Sequence, residues 1–569
     1  MRYLALACDY DGTLAHDGLV PDDTVAALER VVATGRRLIL VSGRELEDLL
    51  SVFPRTDLFE RVVVENGALL YRPATREEKV LGEPPPAQFV QLLRDRRVSP
   101  LSVGRVIVAT WEPNETVVLQ AIRDLGLEHQ VIFNKGAVMV LPPGVNKASG
   151  LQAALLELSL SGHNTVGIGD AENDHAFLSL CEVSVAVSNA LPALKERADL
   201  VTRADHGQGV EELIAELVST DLAGLEGQLT RHHVTLGSSD GRDVRIPPHG
   251  RTVLVAGPSG SGKSTLTTGF LERLAQRAYQ FCLVDPEGDY ESFDPAVVVL
   301  GDSARAPTTD EVLALLEKPD QSSIVNLLAI PLGDRPRFFQ ELLVRVQELR
   351  ARTGRPHWIV VDEAHHMLPS DWHPVGTTVP QELDGLFLIT VHPDLLAPLV
   401  LSTVELLIAV GASPAETLER FARVIEEPAP EVRFRLEPGE ALLWARGEAT
   451  EPVRFLVTPP SSEQRRHQRK YARGELGPDK SFYFRGQDGK LNLRAQNLVL
   501  FLQLAEGVDD ETWLHHLRTG EYSAWLRDAI KDAELAAEVA QVELEDALSA
   551  QESRTRIRAA IEKRYTAPV

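Results

Sequence analysis

Cysteine and methionine are scarce, with three of each in 569 residues, and aromatic residues make up only 6% of the chain. Cys8, Cys181 and Cys282 are far apart, odd in number and without metal-site spacing, which argues against a disulfide framework and suits a reducing compartment. No stretch of about 18 apolar residues occurs, so no transmembrane helix is expected. The start, Met1 to Cys8, is a short apolar run without an h-region or cleavage site, and a cytoplasmic protein without a membrane partner is expected. Basic residues are also few: 58 Lys and Arg face 83 Asp and Glu, for a formal net charge of −25. That balance excludes a surface coated for phosphate backbones, so any nucleic-acid contact must be local, weak and salt-sensitive.

What is present is an ordinary globular composition, 44% hydrophobic and 25% charged, in a chain long enough for several domains. Short apolar runs at 3–8, 37–41, 61–64 and 165–168 alternate with helical patterns at 22–34 and 147–158, which predicts an α/β domain with a parallel, Rossmann-like sheet over 1–220. Between 71 and 141, after Pro84-Pro85-Pro86, the pattern changes to helix, strand, helix, strand, strand, and is expected to form an inserted α+β cap. Residues 221–250, ending in Ile246-Pro247-Pro248-His249-Gly250, are expected to be a junction. A second α/β domain is predicted over 251–460, and a linker followed by a small, mainly helical region over 461–569.

The opening strand ends in Asp9-Tyr10-Asp11-Gly12-Thr13, whose i, i+2 spacing puts both carboxylates on one side of an extended chain. One can attack phosphorus while the other gives a proton to the leaving oxygen and later takes one from water. Cations are needed beside two carboxylates that receive a phosphate. Ser42-Gly43-Arg44 offers a hydroxyl and backbone N–H groups, Lys147 a positive charge, and Gly169-Asp170-Ala171-Glu172-Asn173-Asp174 the oxygen ligands suited to Mg²⁺. These motifs, in this order, resemble the haloacid dehalogenase superfamily. The resemblance implies Asp9 as nucleophile, Asp11 as general acid and base, Ser42 and Lys147 as phosphate clamps, and a Mg²⁺ site made by Asp9, Asp11, Asp170 and Asp174. Glu65-Asn66-Gly67-Ala68 and the cap further resemble the sugar-phosphatase-like branch, which implies an organic phosphate as substrate. Trp111, Asn134 and Lys135 are candidates for reading it. His16, His163, His175 and His206 have no part in this chemistry and are expected on surfaces or loops.

Gly257-Pro258-Ser259-Gly260-Ser261-Gly262-Lys263-Ser264-Thr265 follows a strand-like run at 251–256 and precedes a helical run at 266–277. This is a P-loop for ATP: the glycines let N–H groups curl around phosphates, Lys263 reaches the terminal phosphates and Ser264 ligates Mg²⁺. Asp362-Glu363 ends a later strand, where Asp362 can hold the Mg²⁺ shell and Glu363 can orient the attacking water. No Leu-Ser-Gly-Gly signature precedes it, which argues against an ABC-type ATPase. Asp285-Pro286-Glu287-Gly288-Asp289-Tyr290 and the strand ending in Thr390-Val391-His392 resemble the HerA branch of the HerA/FtsK superfamily. That resemblance implies a homo-oligomer, most plausibly a hexameric ring, with an arginine from a neighbouring subunit; Arg420, Arg423 and Arg446 are candidates. His392 stands where glutamine is usual, and the β-barrel that commonly precedes a HerA core is replaced here by the first domain.

In the C-terminal region, aromatics at helical spacing point to a packed bundle rather than to a metal site at His515 and His516, and the basic run at 464–473 reads as a linker. Together these features predict a bifunctional Mg²⁺-dependent phosphohydrolase and ATP hydrolase, the ATPase organising or regulating the phosphatase. The alternative is a nucleic-acid processing or defence machine in which a ring moves DNA and the phosphatase acts on nucleotides or ends. A third possibility is a mainly structural ring with one degenerate site.

Overall fold

The computed structural model describes all residues except 135, 292, 294–295, 373–384, 448–450, 461–480, 486–490, 531, 546–547 and 566–569. Two compact units form: Met1–Glu291 with Pro295–Thr458, and Ser292–Asp294 with Pro459–Val569. Among the described residues no helix is long and apolar enough to cross a membrane.

The first unit holds two α/β layers. In the first, six parallel strands run in the order Leu200–Val201, Val183–Ala186, Thr165–Gly169, Ala5–Asp9, Arg37–Val41 and Arg61–Val64. The central strand Ala5–Asp9 is buried along its whole length, as expected for a parallel sheet covered on both faces by helices. Leu69–Arg72 and Glu77–Val80 continue this sheet antiparallel, so residues 71–80, expected to open the cap, belong to the main layer. The separate small sheet comprises Ser102–Val103, Val108–Trp111, Ala137–Leu141 and Gln130–Asn134, with helices Ala87–Asp95 and Glu115–Asp124 packed through Phe89, Leu93, Val118 and Ile122.

The second layer is a sheet of eleven strands among the described residues. Its parallel part runs Leu406–Val410, Val253–Ala256, Leu386–Thr390, Trp358–Val361, Phe281–Asp285, Ser323–Asn326, Val298–Leu300. The strand before the P-loop and the strand before Asp362 are thus separated by one strand, which delivers Thr390 between them. On the other edge, Glu440–Ala445 and Val453–Val457 run antiparallel, followed by the hairpin Val234–Ser239 and Arg242–Ile246. This hairpin lies within the expected junction over 221–250. Val234, Leu236, Val244 and Ile246 alternate inward and are buried, and the chain reverses at Asp240-Gly241, both at positive φ, a turn that matches the twist of paired strands.

The amino-terminal ends of the two sheets face each other. The Asn164 side chain, just before Thr165–Gly169, donates to the Gly354 carbonyl at 3.3 Å, and the buried Arg355 donates to the Ser159 carbonyl at 2.8 Å. Tyr279 and His357, which precede the strands Phe281–Asp285 and Trp358–Val361, pack on His163. His163 is therefore buried at a domain junction rather than on a surface or loop. The carboxyl ends of the strands, carrying Asp9 and Asp170 in one sheet and Asp362 in the other, are the strand ends away from this junction.

In the second unit, the strands Phe482–Phe484 and Leu493–Ala495 pair, and five helices from Leu498–Gly507 to Ala550–Tyr565 enclose an aromatic core of Phe482, Phe484, Phe501, Trp513, Tyr522 and Trp525. His516 is buried there, with Nδ1 2.7 Å from Glu521 and Nε2 accepting the Arg485 N–H at 2.9 Å, so both ring nitrogens serve packing. The basic run at 464–473 lies outside the described residues.

Candidate active sites

Asp9 ends the central strand of the first sheet, Ser42 follows Arg37–Val41, and Asp170 follows Thr165–Gly169, so three adjacent strands carry three of the polar groups to one edge. Lys147 arrives as the first residue of the helix Lys147–Glu157, whose start is fixed by Asn146: its side chain accepts from the Ala148 and Ser149 N–H groups, and Ser149 returns a bond to the Asn146 N–H. Gly67, at φ +103°, abuts this helix start so closely that a Cβ there would lie 1.9 Å from the Asn146 carbonyl oxygen.

Lys147 Nζ bridges Asp9 Oδ1 at 2.5 Å and Asp174 Oδ1 at 2.6 Å, and Asp174 Oδ2 accepts the N–H groups of Asp170 and Ala171, both at 2.9 Å. One oxygen from each of Asp9, Asp170 and Asp174 falls within a group spanning 4.8 Å, and all three residues are buried. Burial, followed by the charges of Asp174 and Asp170, pushes the Asp9 carboxyl up to about 8 against the pull of Lys147. Burial also opposes the Lys147 ammonium, but Asp174 and Asp9 outweigh it and hold its pKa above the ordinary value. Three buried carboxylates against one ammonium leave negative charge uncompensated, and an all-oxygen set of this kind fits Mg²⁺.

Asp11 lies outside this carboxylate group. Arg44 grips it with two parallel bonds of 2.8 and 2.7 Å. Ser42 is fully buried, and its hydroxyl accepts the Arg44 N–H at 3.1 Å. Glu65 reaches out of the main layer to accept three N–H groups from the cap, those of Arg105, Val106 and Ile107 at 2.7, 2.7 and 2.9 Å. A Cβ on Gly43 would come within 4.0 Å of the Met139 sulfur, so the cap covers the strand ends. Trp111 is exposed on the cap, Asn134 ends the cap's edge strand Gln130–Asn134, separated from the strand of Trp111 by Ala137–Leu141, and Lys135 lies outside the described residues.

In the second layer, residues 257–262 loop over the start of the helix Lys263–Gln276, and Gly260 and Gly262 take positive φ. A Cβ at Gly257 would lie 2.2 Å from the Val410 carbonyl oxygen, so only glycine lets the loop leave its strand this close to the neighbouring one. Lys263 Nζ donates to the Gly257 and Pro258 carbonyls at 2.9 and 3.0 Å, and burial lowers its pKa. Asp362 is buried and pushed up to about 7 by that burial; the same cause raises Glu363, which sits in a left-handed conformation at φ +41°. His365 Nδ1 lies 3.1 Å from Thr390 Oγ1 and 3.4 Å from Glu363 Oε2. Asp285 closes the turn after its strand by accepting the N–H groups of Glu287, Asp289 and Tyr290. A buried lysine at a helix start beside a buried carboxylate is a fitting cradle for a nucleotide phosphate with Mg²⁺.

A family profile described as haloacid dehalogenase-like hydrolase matches residues 6–99 and 106–214. The phosphoglycolate phosphatase of Methanothermobacter thermautotrophicus is 32% identical over 219 residues, covering 37% of this chain and 96% of that protein. The chain belongs to the haloacid dehalogenase-like hydrolases. Phosphoglycolate phosphatase 2 of Saccharolobus solfataricus is 29% identical over 223 residues, 38% of this chain and 93% of that protein. The phosphoglycolate phosphatase of Haloarcula marismortui is 31% identical over 219 residues, 37% of this chain and 95% of that protein. Residues 243–389 match a profile described as AAA ATPase domain. This haloacid dehalogenase-like hydrolase is thus an enzyme with a phosphatase domain followed by an ATPase domain.

In this hydrolase, Asp9, Lys147, Asp170 and Asp174 come together, with Ser42 and Asp11 beside them; Lys263, Asp362 and Glu363 gather at the second site. Arg446 donates to the Ser402 and Val404 carbonyls and pairs with Glu427. Arg420 and Arg423 are exposed on the helix Pro414–Val424. The grip of Arg44 on Asp11 and the anchoring of the cap by Glu65 went unread in the sequence. Arg44 adjoins Ser42-Gly43, which was a usable signal; for Glu65 the partners lie some 40 residues away.

Proposed function

We propose that the first domain hydrolyses a small organic phosphomonoester through an aspartyl-phosphate on Asp9. The observation that carries this is Lys147 bridging Asp9 and Asp174 beside Asp170 at the ends of adjacent strands. An Asp9 oxygen forms a bond to phosphorus as the phosphorus–oxygen bond of the leaving group breaks, and Asp11 gives that oxygen a proton. Asp11 then takes a proton from water, whose oxygen bonds phosphorus as the bond to Asp9 breaks and phosphate leaves. Ser42 and Lys147 hold phosphoryl oxygens, and Arg44 fixes the Asp11 carboxylate in place. Mg²⁺, held by Asp9, Asp170 and Asp174, supplies charge neutralisation of the phosphoryl group.

The substrate we favour is a short phosphorylated acid, because relatives spanning almost their whole length are named phosphoglycolate phosphatases. We assign the second domain to a HerA-like hexameric ATPase that regulates the first. In it residues 257–265 bind ATP, Lys263 contacts the terminal phosphates, Ser264 and Asp362 hold Mg²⁺, and Glu363 orients water. The turn closed by Asp285 and the placing of Thr390 beside His365 support that assignment. The regulatory reading rests on the amino-terminal junction between the two sheets. Release of phosphate from 2-phosphoglycolate, sugar phosphates, nucleotides and 5′-phosphorylated oligonucleotides, each with and without ATP, tests both readings. We expect turnover of the short acid and a change in its rate with ATP; preference for oligonucleotide ends overturns the substrate assignment in favour of the nucleic-acid alternative.

A further inference from the structure

Between the two sheets lies a second group of metal-ligating side chains, away from both candidate active sites. His163 and Glu182 come from the first layer and His232 from the segment that leads into the hairpin Val234–Ser239. One ligand atom from each falls within a group spanning 4.8 Å. His163 stacks on Tyr279 with ring centroids 3.6 Å apart and meets His232 edge-on at 5.4 Å.

The hydrogen bonds around this group leave room for a cation. His163 Nε2 lies 2.7 Å from the Arg277 carbonyl, an acceptor, and therefore carries hydrogen. Nδ1 points at Glu182 Oε2 from 2.7 Å, so the two must share a cation, either a proton or a metal ion. The Nε2 of His232 is buried with no hydrogen-bond partner among the described residues. Glu182 Oε2 accepts from the Tyr279 hydroxyl at 2.6 Å, and Oε1 lies 3.0 Å from His249 Nε2, so outer partners already orient the carboxylate. A ligating imidazole whose other nitrogen serves a backbone carbonyl, beside a carboxylate fixed by outer hydrogen bonds, is the arrangement in which proteins hold transition metals.

We propose that His163 Nδ1, His232 Nε2 and a Glu182 oxygen bind one divalent first-row transition-metal ion of the Zn²⁺ class, which fastens the phosphatase to the segment entering the ATPase. Two imidazoles and one carboxylate select such an ion over Mg²⁺, whereas the all-oxygen group of Asp9, Asp170 and Asp174 has the reverse preference. The chain then sorts two cations by ligand chemistry.

Metal analysis of the full-length protein, dialysed in Mg²⁺ buffer without chelator and then titrated with Zn²⁺ or Co²⁺, tests this. We expect one tightly held ion per chain and, with Co²⁺, the intense visible bands of a nitrogen-ligated, low-coordinate site. His232→Ala should weaken uptake by more than about 100-fold, beyond the loss typical of an outer partner. His232→Cys should restore it, and Asp170→Asn should leave it unchanged, which separates this site from the catalytic one. ATP hydrolysis and the melting temperature of His232→Ala check that it folds. Absence of stoichiometric uptake by the unmutated protein, or equal uptake by His232→Ala, overturns the proposal.

Discussion

Two lysines occupy matching places in the two α/β layers. Each is the first residue of a helix at the carboxyl edge of a parallel sheet, and each is buried. Lys147 is locked between two carboxylates and its pKa is raised; Lys263, among the described residues, donates to carbonyls of its own loop and its pKa is lowered. The phosphatase edge is therefore organised in the fold itself, with its ammonium already satisfied by Asp9 and Asp174. The ATPase edge keeps its ammonium weakly compensated, so a nucleotide phosphate is the partner that completes it. One fold principle yields a preformed site in one case and a ligand-formed site in the other.

The largest expected effect separates the two sites outright. Asp9→Asn should lower phosphate release from an aryl phosphate by about 10⁵-fold while ATP hydrolysis continues, since only the nucleophile is lost. Retention of phosphatase turnover in that variant removes Asp9 from the reaction. Within the ATPase, Glu363→Gln should bind ATP normally but hydrolyse it about 10³-fold more slowly, whereas Lys263→Ala should lose binding in a fluorescent-nucleotide titration. Equal affinity in both variants breaks the view that Lys263 awaits the phosphate.

The preformed character of the first site has a stability signature. Lys147→Met leaves Asp9 and Asp174 without their shared ammonium and should cost about 3–5 kcal/mol in a denaturant melt, recovered in part by Mg²⁺. Titration gives a gentler test. The Asp9 carboxyl is raised from 3.8 to about 8 in the fold, so it holds its proton more tightly folded than unfolded. The contribution of Asp9 to the stability of the metal-free protein, read as the difference between the unmutated protein and Asp9→Asn, should therefore be greatest below about pH 4 and be lost as pH rises towards 8, and saturating Mg²⁺ should flatten that slope. A metal-free difference independent of pH across this window refutes the uncompensated charge. The smallest contrast uses one substitution twice. Gly260→Ala, where φ is +73° and nothing lies within 4 Å, should cost about 1–2 kcal/mol through backbone strain alone. Gly67→Ala must also displace the Asn146 carbonyl, and should cost more in the same melt.

Local motifs made both catalytic edges legible in the sequence, because each functional side chain sits within a residue or two of a strand end or a helix start. The placement of Asp9, Asp170, Lys263 and Asp362 at strand ends and a helix start was readable for that reason. The hairpin at 234–246 was also signalled locally, by Asp240-Gly241 between alternating apolar residues, but the surrounding polarity masked it. Other features had no local mark. The cap boundary depends on pairing of Leu69–Arg72 with Arg61–Val64, a register that only the folded sheet reveals. His163 and Tyr279 are 116 positions apart by number, yet their rings stack at 3.6 Å. A contact between strand roots of different layers leaves no periodicity for a sequence to display.

The meeting of the two sheets at their amino-terminal ends has a consequence for traffic. Each sheet's central strands span ~16 Å at the rise of extended chain, so the two mouths open to solvent with two such lengths and the junction between them. The two candidate phosphate sites sit at the strand ends away from the junction, each on its own sheet. Inhibitors directed at the two mouths should thus be able to occupy one molecule at the same time, and any communication between them has to travel through the solid body of the protein.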